Sequence, residues 1–185
     1  MRKVFLFMMV SLDGYFEGPN QDISWHNVDE EFNDFAINQL DELDMLVFGR
    51  VTYEGMASFW PTPFAKENDP IVAEKMNSTS KIVVSKTLER ADWQNTRLVK
   101  ENVVEEIAQL KQQPGKDIAI FGSSDLAVSL LQVGLLDEVR VIINPVVLGN
   151  GKPLFKGLDE PLKLKLLKSH QFQSGNVLLY YEPVR

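Results

Sequence analysis

Two glycine-led turns carry the residue types that hold an anion. The first follows the apolar run Ile118-Ala119-Ile120-Phe121, where Gly122-Ser123-Ser124-Asp125 breaks in and the amphipathic stretch 126–131 begins at once. A strand that stops at glycine and restarts as a helix aims the N–H groups of the first helical turn at one point, together with the positive end of the helix dipole. Glycine lets backbone approach a ligand closely, and the two serine hydroxyls can donate to phosphate oxygens. The same residues also suit a plain tight turn with Ser124 as N-cap, so this stretch alone leaves both readings open. The second turn follows the short apolar run 45–48. There Gly49-Arg50-Val51-Thr52-Tyr53-Glu54 repeats the strand-glycine-helix pattern and adds Arg50, whose guanidinium can grip a phosphate through two N–H groups at once.

Other chemistries are poorly supplied. The chain has no cysteine, which removes disulfides, thiol catalysis and thiolate metal sites. Its two histidines, His26 and His170, stand far apart without partners at metal spacing, so no metal site is expected. Nucleophile-elbow and Walker patterns are missing, and no Gly-x-Gly-x-x-Gly follows the first strand, which argues against an ordinary Rossmann domain. A net charge of −7 disfavours a general nucleic-acid surface, and any anionic ligand then needs a local cationic pocket. No apolar stretch is long enough to span a membrane. The start, Met1-Arg2-Lys3 followed by an apolar run over 4–10, has the outline of a signal peptide. That run is short, has no small-residue cleavage site and is broken by Ser11-Leu12-Asp13-Gly14, so a first core strand in a cytoplasmic protein is expected instead.

The elements that must position these turns follow from periodicity. At 185 residues one domain is expected over 1–185. The run 4–10 is apolar on both sides and suits a strand in the middle of a sheet. Between 29 and 43, Phe32, Phe35, Ala36, Leu40 and Leu43 recur at steps of three and four, the signature of an amphipathic helix. Pro61 and Pro63 mark a loop, and Asp69-Pro70 opens a short helix to about Met76. A strand is expected over 82–85 and a short one around 97–100. Asn102 with Glu105 resembles a capping box, opening a helix that Pro114-Gly115 stops. Gly134 reads as a helix C-cap, 137–143 as a strand, and Leu162, Leu164 and Leu166 alternate with lysines as a half-exposed strand. Ser174-Gly175-Asn176 separates that strand from 177–181, giving an antiparallel hairpin at the sheet edge. Buried strands alternating with helices, then a hairpin, predict an α/β domain of three layers with a mixed, mostly parallel sheet.

Three motifs, in this order, resemble the dihydrofolate reductase-like fold, and within it the reductase domain at the C-terminus of the bifunctional riboflavin-biosynthesis deaminase-reductases. They are Ser11-Leu12-Asp13-Gly14 after strand one, Gly49-Arg50-x-Thr52-Tyr53-Glu54, and the Phe121-Gly122-Ser123-Ser124-Asp125 turn with Gly134-Leu135-Leu136-Asp137-Glu138 and the block 145–155. The resemblance implies NADPH as cofactor. Gly49, Arg50 and Thr52 would hold its phosphates from one side, and Gly122, Ser123, Ser124 and Leu126 from the other. Ser85 and Lys86 match the place where the family binds the adenosine 2′-phosphate, and two cations there, Arg50 and Lys86, favour NADPH over NADH.

By the same resemblance Asp13 sits beside the nicotinamide and the substrate, with Phe16 and Gly18 in the loop that covers them. Trp25 matches a tryptophan of true dihydrofolate reductases, and the pterin-binding carboxylate that follows it corresponds to Asp29 or Glu30. A carboxyl in such a dry pocket would have a raised pKa and could pass a proton, with Asp13 ranked first and Glu30 second. The family usually has Glu-Gly-Gly where this chain has Phe121-Gly122-Ser123, so the cofactor turn is kept while the substrate side departs from the riboflavin-pathway pattern. With no deaminase domain in the sequence, a stand-alone, homodimeric reductase of a small heterocyclic or ribosylamino-pyrimidine substrate is expected. The alternatives are a dihydrofolate or pteridine reductase, and a nucleotide-binding module without catalysis.

Overall fold

The structure is a computed structural model, and it describes residues 1–122 and 124–184. Its strands are β1 (Val4–Ser11), the short β2 (Tyr15–Glu17), β3 (Leu43–Gly49), β4 (Ser80–Val84), β5 (Thr96–Val99), β6 (Asp117–Phe121), β7 (Glu138–Asn144), the two-residue β8 (Lys152–Pro153), β9 (Leu164–Gln171) and β10 (Val177–Pro183). Eight of them form one sheet in the order β5-β4-β3-β6-β1-β7-β10-β9. β1 pairs in parallel with β6 and β7, β3 with β4 and β6, and β4 with β5, while β10 runs antiparallel to both β7 and β9. The mixed, mostly parallel sheet and the terminal hairpin agree with the periodicity. β1 is apolar along its length because both of its faces are covered: Val4, Phe5 and Leu6 are fully buried.

Helices α1 (Glu30–Asp41), α2 (Arg50–Phe59), α3 (Pro63–Asn68), α4 (Pro70–Ser78), α5 (Val103–Gln112) and α6 (Ser124–Gln132) complete the layers. On one face, Leu40 of α1, Tyr53 of α2 and Val72 and Met76 of α4 join Phe5, Leu46, Phe48 and Ala119 in one cluster. On the other, Ile107 and Leu110 of α5 and Leu126, Ala127 and Leu130 of α6 join Val4, Leu6, Val47, Ile118 and Ile120. Each such buried aliphatic or aromatic side chain contributes about 1.5–3 kcal/mol relative to exposure. Among the described residues no helix is long and apolar enough to cross a membrane.

Three local readings need correction, and one element is additional. The first helix ends at Asp41, and Leu43, though in phase, opens β3, where it is buried. Asn102 is no capping-box residue: it is left-handed (φ 55°), and its side chain makes no cap bond to α5. The loop expected after Pro61 contains α3, which Thr62 caps by accepting from the Ala65 N–H at 3.2 Å. Finally, β2 and β8 form a small second sheet that short-range pattern does not signal.

Candidate functional site

The connections after β3 and β6 leave the sheet on opposite sides: α2 belongs to one core cluster and α6 to the other. β3 and β6 are parallel neighbours, so their carboxyl ends stand at a topological switch point, the place where open α/β sheets take ligands. The two turns singled out in the sequence stand on its two sides. Gly49 is the N-cap of α2 and Arg50 its first residue, while Gly122 leads into α6, which starts at Ser124. The turns touch. Gly122 sits at φ +74°, and a Cβ placed there would lie 2.6 Å from Thr52 Oγ1 and 2.9 Å from Thr52 Cγ2. Only glycine therefore serves at this position, both for its backbone angle and for the room that Thr52 leaves.

Neighbouring groups extend the same edge. Arg50 is exposed, and its guanidinium pairs with Glu54 one turn along at 3.4 Å, both side chains about half exposed. Such a surface pair is worth at most about 1 kcal/mol and yields readily to a better anion. Beyond β3, at the end of β4, Lys86 is exposed; the Ser85 hydroxyl accepts from the N–H groups of Thr87 and Leu88 at 3.2 and 3.0 Å and so shapes the turn that presents it. Ser124 is buried at the start of α6. The Leu126 side chain packs in the core, so a ligand would meet its backbone. Ser123 lies outside the described residues. From the end of β4 to the end of β1 is three strand spacings, roughly 14 Å.

At the end of β1 the geometry differs from expectation. Asp13 is exposed, not in a dry pocket: its carboxylate accepts from the Leu148 N–H at 3.1 Å and the Gly149 N–H at 2.7 Å. The Ser11 hydroxyl and these two amides hold its pKa down at about 2. The raised pKa expected of Asp13 is thus reversed, because hydrogen bonds to the charged form outweigh burial. α1 runs back from the carboxyl edge to the start of β3, which places Asp29 and Glu30 at the same end of the sheet as the turns. Asp29 caps α1 by accepting from the Phe32 N–H at 2.9 Å, and Glu30 is exposed in its first turn. Phe16, in β2, is half-buried with Lys152 Nζ 5.3 Å from its ring centre. Trp25 is half-buried and donates from its indole N–H to the Asp22 carbonyl at 3.0 Å. The neighbouring His26 has its Nε2 buried without a partner, and burial pushes its pKa down.

An aromatic patch lies beside the end of β6. Phe121 and Phe7, side by side in register on β6 and β1, have ring centres 5.4 Å apart, and Phe35 of α1 lies 5.7 Å from Phe7. Sequence reasoning missed the 148–149 loop as the partner of Asp13; only the glycine-rich run 149–151 hinted at it. A cavity of about 850 Å³ lies elsewhere, between α2, α4 and the 88–94 loop. The polar groups of Trp93 there are satisfied internally, by Tyr53 Oη at 3.0 Å and Asn77 Oδ1 at 2.8 Å. Among the described residues no group of His, Asp and Glu could hold a metal.

These residues fit the diphosphate of a dinucleotide. Two helix starts meet where Gly122 packs against Thr52, and a guanidinium and an ammonium stand on the same edge, the donor types that a diphosphate takes. The Bacillus subtilis (strain 168) protein YyaP, itself uncharacterized, is 34% identical over 186 residues, which cover 97% of this chain and 94% of YyaP. A Shewanella sp. PV-4 structure, provisionally named a riboflavin biosynthesis protein, superposes with a TM-score of 0.76 at 26% identity over 99% of both chains. The Thermotoga maritima diaminohydroxyphosphoribosylaminopyrimidine deaminase/5-amino-6-(5-phosphoribosylamino)uracil reductase matches 99% of this chain with 57% of its own (TM-score 0.69, 14% identity). Dihydrofolate reductase from Enterococcus faecalis, complexed with NADP(H), has a TM-score of 0.66 at 16% identity over 99% and 97% of the two chains, so the fold is dihydrofolate reductase-like. The model of the RibD C-terminal domain matches residues 2–178, and the chain belongs to that family.

Proposed function

We propose that this protein is a cytoplasmic, NADPH-dependent reductase that delivers hydride to a C=N or C=O group of a small heterocyclic or ribosylamino-pyrimidine substrate. The observation that carries the reading is the contact of the Gly122 turn with Thr52, which brings two helix starts together at the switch point. Backbone at Gly49, Arg50, Thr52, Gly122, Ser123, Ser124 and Leu126 holds the diphosphate, with the Arg50 guanidinium released from Glu54 to join it. Lys86 meets the 2′-phosphate from the turn that Ser85 shapes. The bound nicotinamide supplies the hydride. Phe121 and Phe7 offer an apolar surface to a flat ring, and Phe16 of β2 and Trp25 of the segment before α1 are the substrate-side aromatics. Asp13, held ionised near neutral pH, has no proton to give, so the proton that accompanies hydride comes from Glu30, next to the Asp29 cap, or from solvent.

Purified protein should quench NADPH fluorescence on binding in the micromolar range, and Arg50→Ala should weaken NADPH far more than it changes stability. No binding of NADPH or NADH would end the proposal. Dihydrofolate reduction is a second reading, favoured by Trp25 shortly before a helix that starts with carboxylates, and it is rejected if fresh enzyme with NADPH does not turn over dihydrofolate. A non-catalytic nucleotide module, favoured by Phe121 in place of a carboxylate, is rejected by any NADPH-dependent turnover that Glu30→Gln reduces.

We also propose a homodimer. One face of β7 and β10 packs on Phe32 and Phe35 of α1; on the other, Val141, Ile143, Leu179 and Tyr181, with Leu164 of the exposed β9, line an open groove of about 210 Å³ bordered by Leu12 and Phe155. A stable pair needs about 800 Å² per partner, and this apolar face is where a second copy fits. An elution volume matching a monomer would refute it.

A further inference from the structure

Two loops that are far apart in sequence behave as one unit at the ends of β1 and β7. The Leu12 N–H donates to the Val146 carbonyl at 2.8 Å, the Leu154 N–H donates to the Gly14 carbonyl at 3.1 Å, and β2 pairs with β8. Gly151 permits the approach, since a Cβ there would lie 2.3 Å from the Glu17 carbonyl oxygen. Among the described residues the side-chain hydrogen bonds that cross between the two loops come from Asp13 alone, one to each of the adjacent amides of Leu148 and Gly149. The Ser11 hydroxyl steadies the near side of the turn by accepting from the Tyr15 N–H at 3.0 Å.

We infer that Asp13 is a positioning residue: its carboxylate ties the turn after β1 to the 148–149 loop and so fixes the flap of β2 and β8, whose Phe16 packs against the core cluster that holds Val10 and Leu154. For its effect on turnover this rests on the reductase reading, but for its structural content it does not. The side chain is exposed, so removing it leaves no buried cavity or unpaired buried charge. What is lost is two charge-assisted bonds that hold Leu148 and Gly149 in place.

Hydrogen exchange at the Leu148 and Gly149 amides reads this directly, in the full-length protein without cofactor. In Asp13→Asn and Asp13→Ala those two amides should exchange about ten-fold faster or more, amides in β6 should be unchanged, and Asp13→Glu, which keeps the charge, should recover part of the protection. With NADPH and a working substrate, Asp13→Asn should lower kcat, leave KM for NADPH within about three-fold, and leave the pH profile between 5 and 8 unshifted. Unchanged exchange at both amides in Asp13→Ala would overturn the inference. So would a wild-type acidic limb in the pH profile that vanishes in Asp13→Asn, because that is the mark of a proton donor. Absence of any NADPH binding would remove the reductase reading and leave the exchange result to decide the role of Asp13.

Discussion

Two stretches of the same sheet edge, one strand apart, are built in opposite ways. At the ends of β3 and β6 the chain brings glycine to the contact, and Thr52 touches a backbone that has no room for a side chain. The exposed cation there, Arg50, is held only by a surface pair. At the ends of β1 and β7 the carboxylate of Asp13 is satisfied by amides of its own chain and is held strongly ionised. On the reading proposed above, the first region receives an anion from outside, while the second has already supplied its own. A polar group whose partners lie within the protein positions; one whose partners are weak or missing binds.

The largest effect that would break this contrast is Gly122→Ala. The left-handed angle costs about 1–2 kcal/mol and the clash with Thr52 about 1–3 kcal/mol more, so the melting temperature should fall by several degrees and NADPH binding should be lost with it. An unchanged melting temperature would mean that the turns do not touch. Arg50→Ala should come next for binding: loss of a charge-assisted contact, about 1.5–3 kcal/mol, weakens NADPH ten-fold or more by calorimetry and moves stability by less than about 1 kcal/mol. Lys86→Ala should be milder, a few-fold loss confined to NADPH with NADH unaffected.

The smallest effect concerns pH. A carboxyl whose folded pKa is depressed contributes stability above its unfolded value, and that contribution is lost as pH falls through the folded value. For Asp13 the window runs from about 3.8 down to about 2. Protection of the Leu148 and Gly149 amides should therefore be flat from pH 8 to 5 and decline only below about 4; a decline between 7 and 5 would contradict the assignment.

The edge at the ends of β3 and β6 was the more legible part of the chain. A strand, a glycine and a helix start are local features, and each of the two turns declares itself within about eight residues. That they meet depends on β3 and β6 being sheet neighbours, which follows from topology rather than from either stretch. The Asp13 turn was readable as a turn, but its partner amides lie 135 residues away and nothing about Leu148 or Gly149 as residue types marks them as donors. The raised pKa expected of Asp13 followed from assuming a dry pocket, and an exposed position with two amides reverses the sign. Helix α3 was hidden because two prolines read as loop, although proline is at ease in a first helical turn. The failed cap at Asn102 shows the limit of a four-residue pattern: the residue types were right and the backbone angle was not.

Calorimetric titration of NADPH into the purified protein and into its Gly122→Ala variant tests the convergence of the two turns most directly. The account predicts micromolar binding by the parent chain, one dinucleotide per chain, and a loss of at least ten-fold in a variant still folded at the temperature of titration. No binding by the parent chain, or equal binding by both, would contradict it.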